Sequence, residues 1–173
     1  ELTQPISDSP ATGDTLSIPV AETKTVFGDN VVSSAFNLGD LTSDKGAIAF
    51  ARFNTTTIPT GATILKADLL IGNHTVTGTP FQQLGCVRVY AGDYFLADIT
   101  DYTYDDLGEI ITACEQETLT NPMSFEPRIM QEAIANGELQ IKMFFNEKEN
   151  NLNGMGDLIR INPGSLTLRV IFQ

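Results

Sequence analysis

The chain has no tryptophan, one histidine and two cysteines among its 173 residues, and each shortage narrows what it can do. Sugar-binding platforms lean heavily on exposed tryptophan. A glycan surface here would have to be built from Tyr90, Tyr94, Tyr102 and Tyr104, and three of these crowd one acidic stretch. The histidine, His74, sits in a Gly/Thr/Pro-rich segment without a serine or cysteine context, which reads as a surface residue, not a catalytic base. No G-x-S-x-G, H-E-x-x-H, phosphate-cradling glycine loop or dinucleotide fingerprint occurs. The expectation is therefore that this is not an enzyme. Carboxylates are plentiful, but the spatial separation that glycoside hydrolysis demands is not a property of linear order.

Positive charge is also scarce. Ten basic residues stand against twenty-two acidic ones, a net charge of −12, and binding a phosphate backbone normally needs a basic patch, so nucleic acid is excluded as a partner. No apolar run approaches the length needed to span a bilayer. The chain begins at Glu1 without an initiator methionine, which raises the expectation of a removed signal peptide and an extracellular, secreted protein. Cys86 and Cys114 are too far apart for a CxxC redox or zinc motif. Either they close one disulfide in an oxidising compartment, contributing roughly 3 to 4 kcal/mol by the chain-entropy model, or they are two buried thiols. Two sequons, Asn54-Thr-Thr and Asn73-His-Thr, are potential glycan acceptors.

What the sequence does contain is alternation. A length of 173 residues suits one domain with a genuine core. Residues 1–14 mix two prolines with small polar residues and form an arm. It leads into 15–21, where Leu16, Ile18 and Val20 alternate and Pro19 confines the strand to an edge. This strand is either the domain's own first edge or a donor strand for the next subunit. The division expected is an arm and donor strand over 1–21 and a β-sandwich over 22–173. Strands follow at 23–27, 31–38, 85–91, 138–145 and the C-terminal run carrying Leu166, Leu168, Val170 and Phe172. Helical spacing of Leu107, Ile110, Ile111 and Cys114 predicts one short helix. Pro127 to Asn136, with Met130, Ala133 and Ile134 on one face and Gly137 as a stop, predicts a second.

The organising stretch is Arg52 to Asn73, read as a core hairpin: Ile48, Phe50 and Phe53 ahead of a Pro/Gly connection, then Ile64, Ala67, Leu69 and Ile71. Its pattern, R-F-x-x-x-x-I-P-x-G-A-x-I-x-x-A-x-L over Arg52 to Leu69, resembles the central hairpin of secreted surface domains of the DNRLRE and carbohydrate-binding-module-like group. Asp98-Ile-Thr and the closing strand after Pro163 stand at matching places. The resemblance implies an all-β fold with two short helices, an antiparallel jelly-roll β-sandwich.

The acidic residues suggest a hard cation. Nine carboxylates between Asp93 and Glu126 are uninterrupted by lysine or arginine, and such a run repels itself unless solvent or a cation answers it. Calcium is the cofactor most consistent with this. Its candidate ligands are Asp98, Asp101, Asp105 and Asp106, then Asp40 and Asp44, whose alternate oxygen side chains open like a calcium loop, then Asp157 in the oxygen-rich 146–157 loop. For each the alternative is a solvated carboxylate.

As a whole, a short acidic sandwich behind a Pro/Ser/Asp leader and an edge-type strand resembles the cannula subunits of hyperthermophilic archaea, which build extracellular tubes. That resemblance implies a structural protein whose partners are identical subunits, joined by donor-strand exchange with calcium at the interfaces. The alternative is a non-catalytic carbohydrate-binding module of the cell surface.

Overall fold

A computed structural model describes residues 13–29, 31–92, 94, 111–146 and 150–173. These residues form an all-β antiparallel sandwich with three short helices. The strands are β1 (Asp14–Phe27), β2 (Val32–Ser33), β3 (Phe36–Asp40), β4 (Gly46–Asn54), β5 (Ile64–Ile71), β6 (His74–Thr77), β7 (Val87–Gly92), β8 (Ile111–Ala113), β9 (Met123–Phe125), β10 (Glu138–Phe145), β11 (Leu158–Ile161) and β12 (Leu166–Phe172). The helices are α1 (Pro80–Gln83), α2 (Gln116–Leu119) and α3 (Pro127–Asn136).

One sheet runs β1–β12–β5–β9. The other runs β2–β1–β4–β10–β7–β8, and beside the first residues of β4 it continues through β3, β11 and β6. β1 belongs to both. Residues 14–19 pair with β12, residues 20–27 pair with β4, and the register slips between Val20 and Glu22. A slip of this kind bends a strand and increases its twist, which is how one strand turns the corner between sheets.

Alternate residues of each strand fill the space between the sheets, as the two-residue period of a strand requires. Ala49, Ala51 and Phe53 of β4 and Leu139, Ile141, Met143 and Phe145 of β10 join Ala67, Leu69 and Ile71 of β5 and Leu166, Leu168 and Val170 of β12 in one core. The outer face of the second sheet carries a smaller cluster of Val26, Ile48, Phe50 and Tyr94, with Phe144 packed against it.

Three expectations are corrected. The Arg52 to Asn73 stretch is not a hairpin: β4 and β5 lie in different sheets and do not pair with each other. Their connection, Thr55 to Thr63, is longer than a tight hairpin loop. It drops into the sandwich instead, burying Ile58 and Thr55. The Thr55 hydroxyl donates to the Ala133 carbonyl of α3 at 2.8 Å. Second, the predicted helix through Ile111 and Cys114 gives way to strand β8, which pairs with β7 over Val87 to Val89. A short apolar run fits either period, and pairing with a neighbouring strand decides it. Leu107 and Ile110 lie outside the described residues. Third, the strands expected at 15–21 and 23–27 are one continuous β1, whereas the strand expected over 31–38 breaks into β2 and β3. At that break the buried Thr25 hydroxyl donates to the Ala35 carbonyl and accepts from the Asn37 amide, both at 2.9 Å. By contrast α3 has the bounds read from the sequence, with proline at its first turn, Met130 and Ala133 buried, and Gly137 at φ 77° ending it.

Candidate functional site

The N-terminal half of β1 is the first candidate. Its ladder with β12 runs Asp14↔Phe172, Leu16↔Val170, Ile18↔Leu168 and Pro19↔Thr167. Pro19 is the last rung, a position at which an edge strand tolerates a missing donor. Ile18 is 5% exposed, and Leu16 and Val20 pack against the same core. The three residues singled out for their alternation thus line one face, here within their own chain. Burial of such side chains stabilises the fold by about 1.5 to 3 kcal/mol each when complete. At the start of the segment the backbone comes close: a Cβ on Gly13 would lie 2.6 Å from the Phe172 carbonyl oxygen.

The second candidate is a meeting of loops. Asp40, at the end of β3, and Asp157, just before β11, are both buried. Asp40 Oδ1 accepts from the Asp157 amide at 2.7 Å and Oδ2 from the Asn151 amide at 3.1 Å. Asp157 Oδ1 accepts from the Thr79 amide at 2.6 Å and Oδ2 from the Asn151 side-chain amide at 2.7 Å. Asp44, at φ 56°, accepts from the Gly154 amide at 2.9 Å. Glycine is obligatory twice here. Gly39 (φ 114°) and Gly78 (φ 68°) would each place a Cβ within 2.2 Å of Asp157.

Asp40, Asp44 and Asp157, read as parts of two separate loops, are therefore brought into one hydrogen-bonded network. Both oxygens of Asp40 and of Asp157 already accept an N–H, so the network as it stands ties loops together. Among the described residues no group of three or more His, Cys, Asp or Glu is arranged to hold a metal. Asp98, Asp101, Asp105 and Asp106 lie outside the described residues. Asn151, Thr79, Gly39 and Gly78 were not anticipated as partners of these carboxylates. The only signal in the sequence was the density of Asn and Gly in the 146–157 loop.

A third polar cluster was missed entirely. Asp68 of β5 is 1% exposed on the outer face of the first sheet, with Arg169 of β12 and Ser124 of β9 directly opposite it. Burial pushes its carboxyl up. The Ser124 hydroxyl at 2.6 Å, the Arg169 guanidinium and the Lys66 ammonium at 3.1 Å outweigh that and hold it below the ordinary aspartate value.

Cys86 and Cys114 form a disulfide, joining the start of β7 to the end of β8 across 28 residues of sequence. Tyr90 stacks on Phe144 with centroids 5.4 Å apart, and Tyr94 is buried edge-on to Phe50. Tyr102 and Tyr104 lie outside the described residues. His74, on β6, has Nδ1 3.0 Å from the Gly72 carbonyl. No described helix is long and apolar enough to cross a membrane.

What the fold and these sites define is a disulfide-stapled antiparallel β-sandwich with residues 14–19 at a sheet edge among the described residues. Comparison with protein-family models and with curated proteins finds no match.

Proposed function

We propose that the chain is a structural subunit that assembles with identical copies outside the cell, each giving the N-terminal half of β1 to its neighbour. The observation that carries this reading is the position of residues 14–19: among the described residues an edge segment, paired on one side only, whose Leu16 and Ile18 pack into the core. Beyond it the strand bends at Val20 to Glu22. Among the described residues this segment's ladder is with β12, which a second copy also presents. Exchange between copies therefore conserves the contacts, and concentration drives it against the entropy of association. Head-to-tail donation is a heterologous contact and propagates into fibres or tubes instead of closing into a pair.

Calcium belongs to this proposal as the ion that answers the repulsion between subunits of charge −12. Asp98, Asp101, Asp105 and Asp106 are the carboxylates proposed first to supply it with hard oxygen ligands. The Cys86–Cys114 disulfide supports an oxidising, extracellular setting.

Thr15 and Ile171 face each other on the β1–β12 ladder, so the pair Thr15→Cys with Ile171→Cys locks the strand in its own chain. Electron microscopy should find fibres or tubes from the full chain with calcium, fewer with chelator, and none from the locked chain. Normal assembly of the locked chain would sink the exchange mechanism.

A further inference from the structure

Asn54-Thr55-Thr56 is an N-x-T acceptor motif with no proline at its middle position. Its asparagine is the last residue of β4 and is exposed. Residues of β4 alternate between the core and the outer face of the second sheet. Phe53 is buried completely, and Asn54, one residue on, turns outward.

The Asn54 amide is held in one orientation. Its Oδ1 accepts from the Thr56 amide at 3.0 Å and from the Thr56 hydroxyl at 2.6 Å, which makes an Asx turn. A backbone N–H can only donate, so the atom facing it is the oxygen. The nitrogen, Nδ2, is thereby placed on the other side of the amide, where it donates to no described residue. That nitrogen is the atom to which an N-linked glycan is joined.

The surroundings leave room for one. Glu138 of β10 stands opposite Asn54, and Arg52, on the same face, reaches Glu138 at 3.5 Å and Glu22 at 2.8 Å. All three are partly exposed polar groups, so a sugar here displaces no apolar packing and meets hydrogen-bonding partners. Thr55 differs. It is buried, its hydroxyl donates to the Ala133 carbonyl, and its amide donates to the Gly137 carbonyl at 3.0 Å. Transfer must therefore come before this loop closes on α3, and the fold then forms with the glycan outside. The second motif, Asn73-His-Thr, lacks this arrangement. Thr75 lies within β6 opposite Arg160, and among the described residues no hydrogen bond joins it to Asn73.

We propose that Asn54 is an N-glycosylation site, modified as the chain is exported. Nδ2 bonds to C1 of an oligosaccharide carried on a lipid pyrophosphate. The bond from C1 to the pyrophosphate oxygen breaks, the lipid pyrophosphate leaves, and one proton passes from Nδ2 to a base of the transferase. The proposal rests on the extracellular setting proposed above, and is independent of strand exchange.

The test is mass spectrometry of tryptic peptides of the chain, taken both from the cells that make it and from their medium. Cleavage after Arg52, Lys66 and Arg88 puts Asn54 in peptide 53–66 and Asn73 in peptide 67–88. The expected result is a saccharide mass increment on peptide 53–66 of the secreted chain. It should be lost in Asn54→Gln and in Thr56→Val, and kept in Thr56→Ser, with all three variants still secreted and giving the circular dichroism of the parent chain. A secreted chain whose peptide 53–66 is unmodified would overturn the proposal and leave the extracellular reading standing. An increment confined to peptide 67–88, or one that survives Thr56→Val, would overturn it too. A chain found only inside the cells and unmodified would defeat both readings.

Discussion

Among the described residues, 14–19 of β1 are held by a ladder on one side, against β12, whereas 22–27 are held by β4 along their length and by β2 over Thr25 and Val26. The outer half buries one residue, Ile18, and the inner half buries Thr25 and Val26 completely. Thr25 additionally closes the break between β2 and β3 through its hydroxyl. The two halves are adjacent in sequence, yet among the described residues the first has a neighbour on one side, while the second cannot leave without opening the sheet. Local stability is set by how many neighbours a segment has, not by its hydrophobicity alone.

Substitutions can break this comparison in order of expected effect. Ile18→Ala should be the costliest, at about 2 to 5 kcal/mol, because it leaves a cavity where the outer half meets the core. Denaturant unfolding measures it, and a loss below about 1 kcal/mol would mean that the outer half is barely docked. Thr25→Val should cost about 1 to 3 kcal/mol by leaving the Asn37 amide and the Ala35 carbonyl without that partner, again read from the unfolding midpoint. An unchanged midpoint would remove the special status given to the inner half.

Acid should sharpen the contrast. Asp68 titrates lower in the fold than in the unfolded chain, where aspartate stands near pH 3.9. Its cluster is therefore stabilising above that pH and is lost as pH falls through the folded value. Because Arg169 lies between Asp68 and Ser17 of the outer half, hydrogen exchange near pH 3 should show residues 14–19 losing protection before 22–27. In Asp68→Asn that acid-dependent loss should shrink. The smallest effect is expected at neutral pH, where amides of 22–27 should exchange about ten-fold or more slowly than those of 14–19. Equal rates would make β1 a single cooperative unit.

Much of the fold was legible because burial writes a period into a strand. Leu139 to Phe145 and Leu166 to Phe172 alternate without ambiguity, and α3 carries its own proline and glycine punctuation. The pairing of strands was not legible. β4 and β5 look like hairpin partners because they are adjacent and equally apolar, and it is pairing with distant strands, β4 with β1 and β10 and β5 with β12 and β9, that assigns them to opposite sheets. Ile111 to Ala113 fits a helix by spacing and a strand by its neighbour β7. For the sites, the alternation of Leu16, Ile18 and Val20 identified a shared face correctly, and the cysteines were a stated option. Asp40 and Asp157 are over a hundred residues apart, and no pattern in either loop announces that one accepts the other's amide. Nothing local to Asp68 marks it, because its partners Arg169 and Ser124 stand on other strands.

By itself, then, the sequence determined the class of the fold, the faces of its strands, the α3 boundaries and the acidic charge, since each depends on local periodicity or on composition. Tertiary structure decided which strands share a sheet, which carboxylates meet, and that β1 pairs with β12 in its first half and with β4 and β2 in its second. Those properties depend on contacts between distant segments, whose loop-closure cost and packing are shared across the whole chain and recorded at no single position.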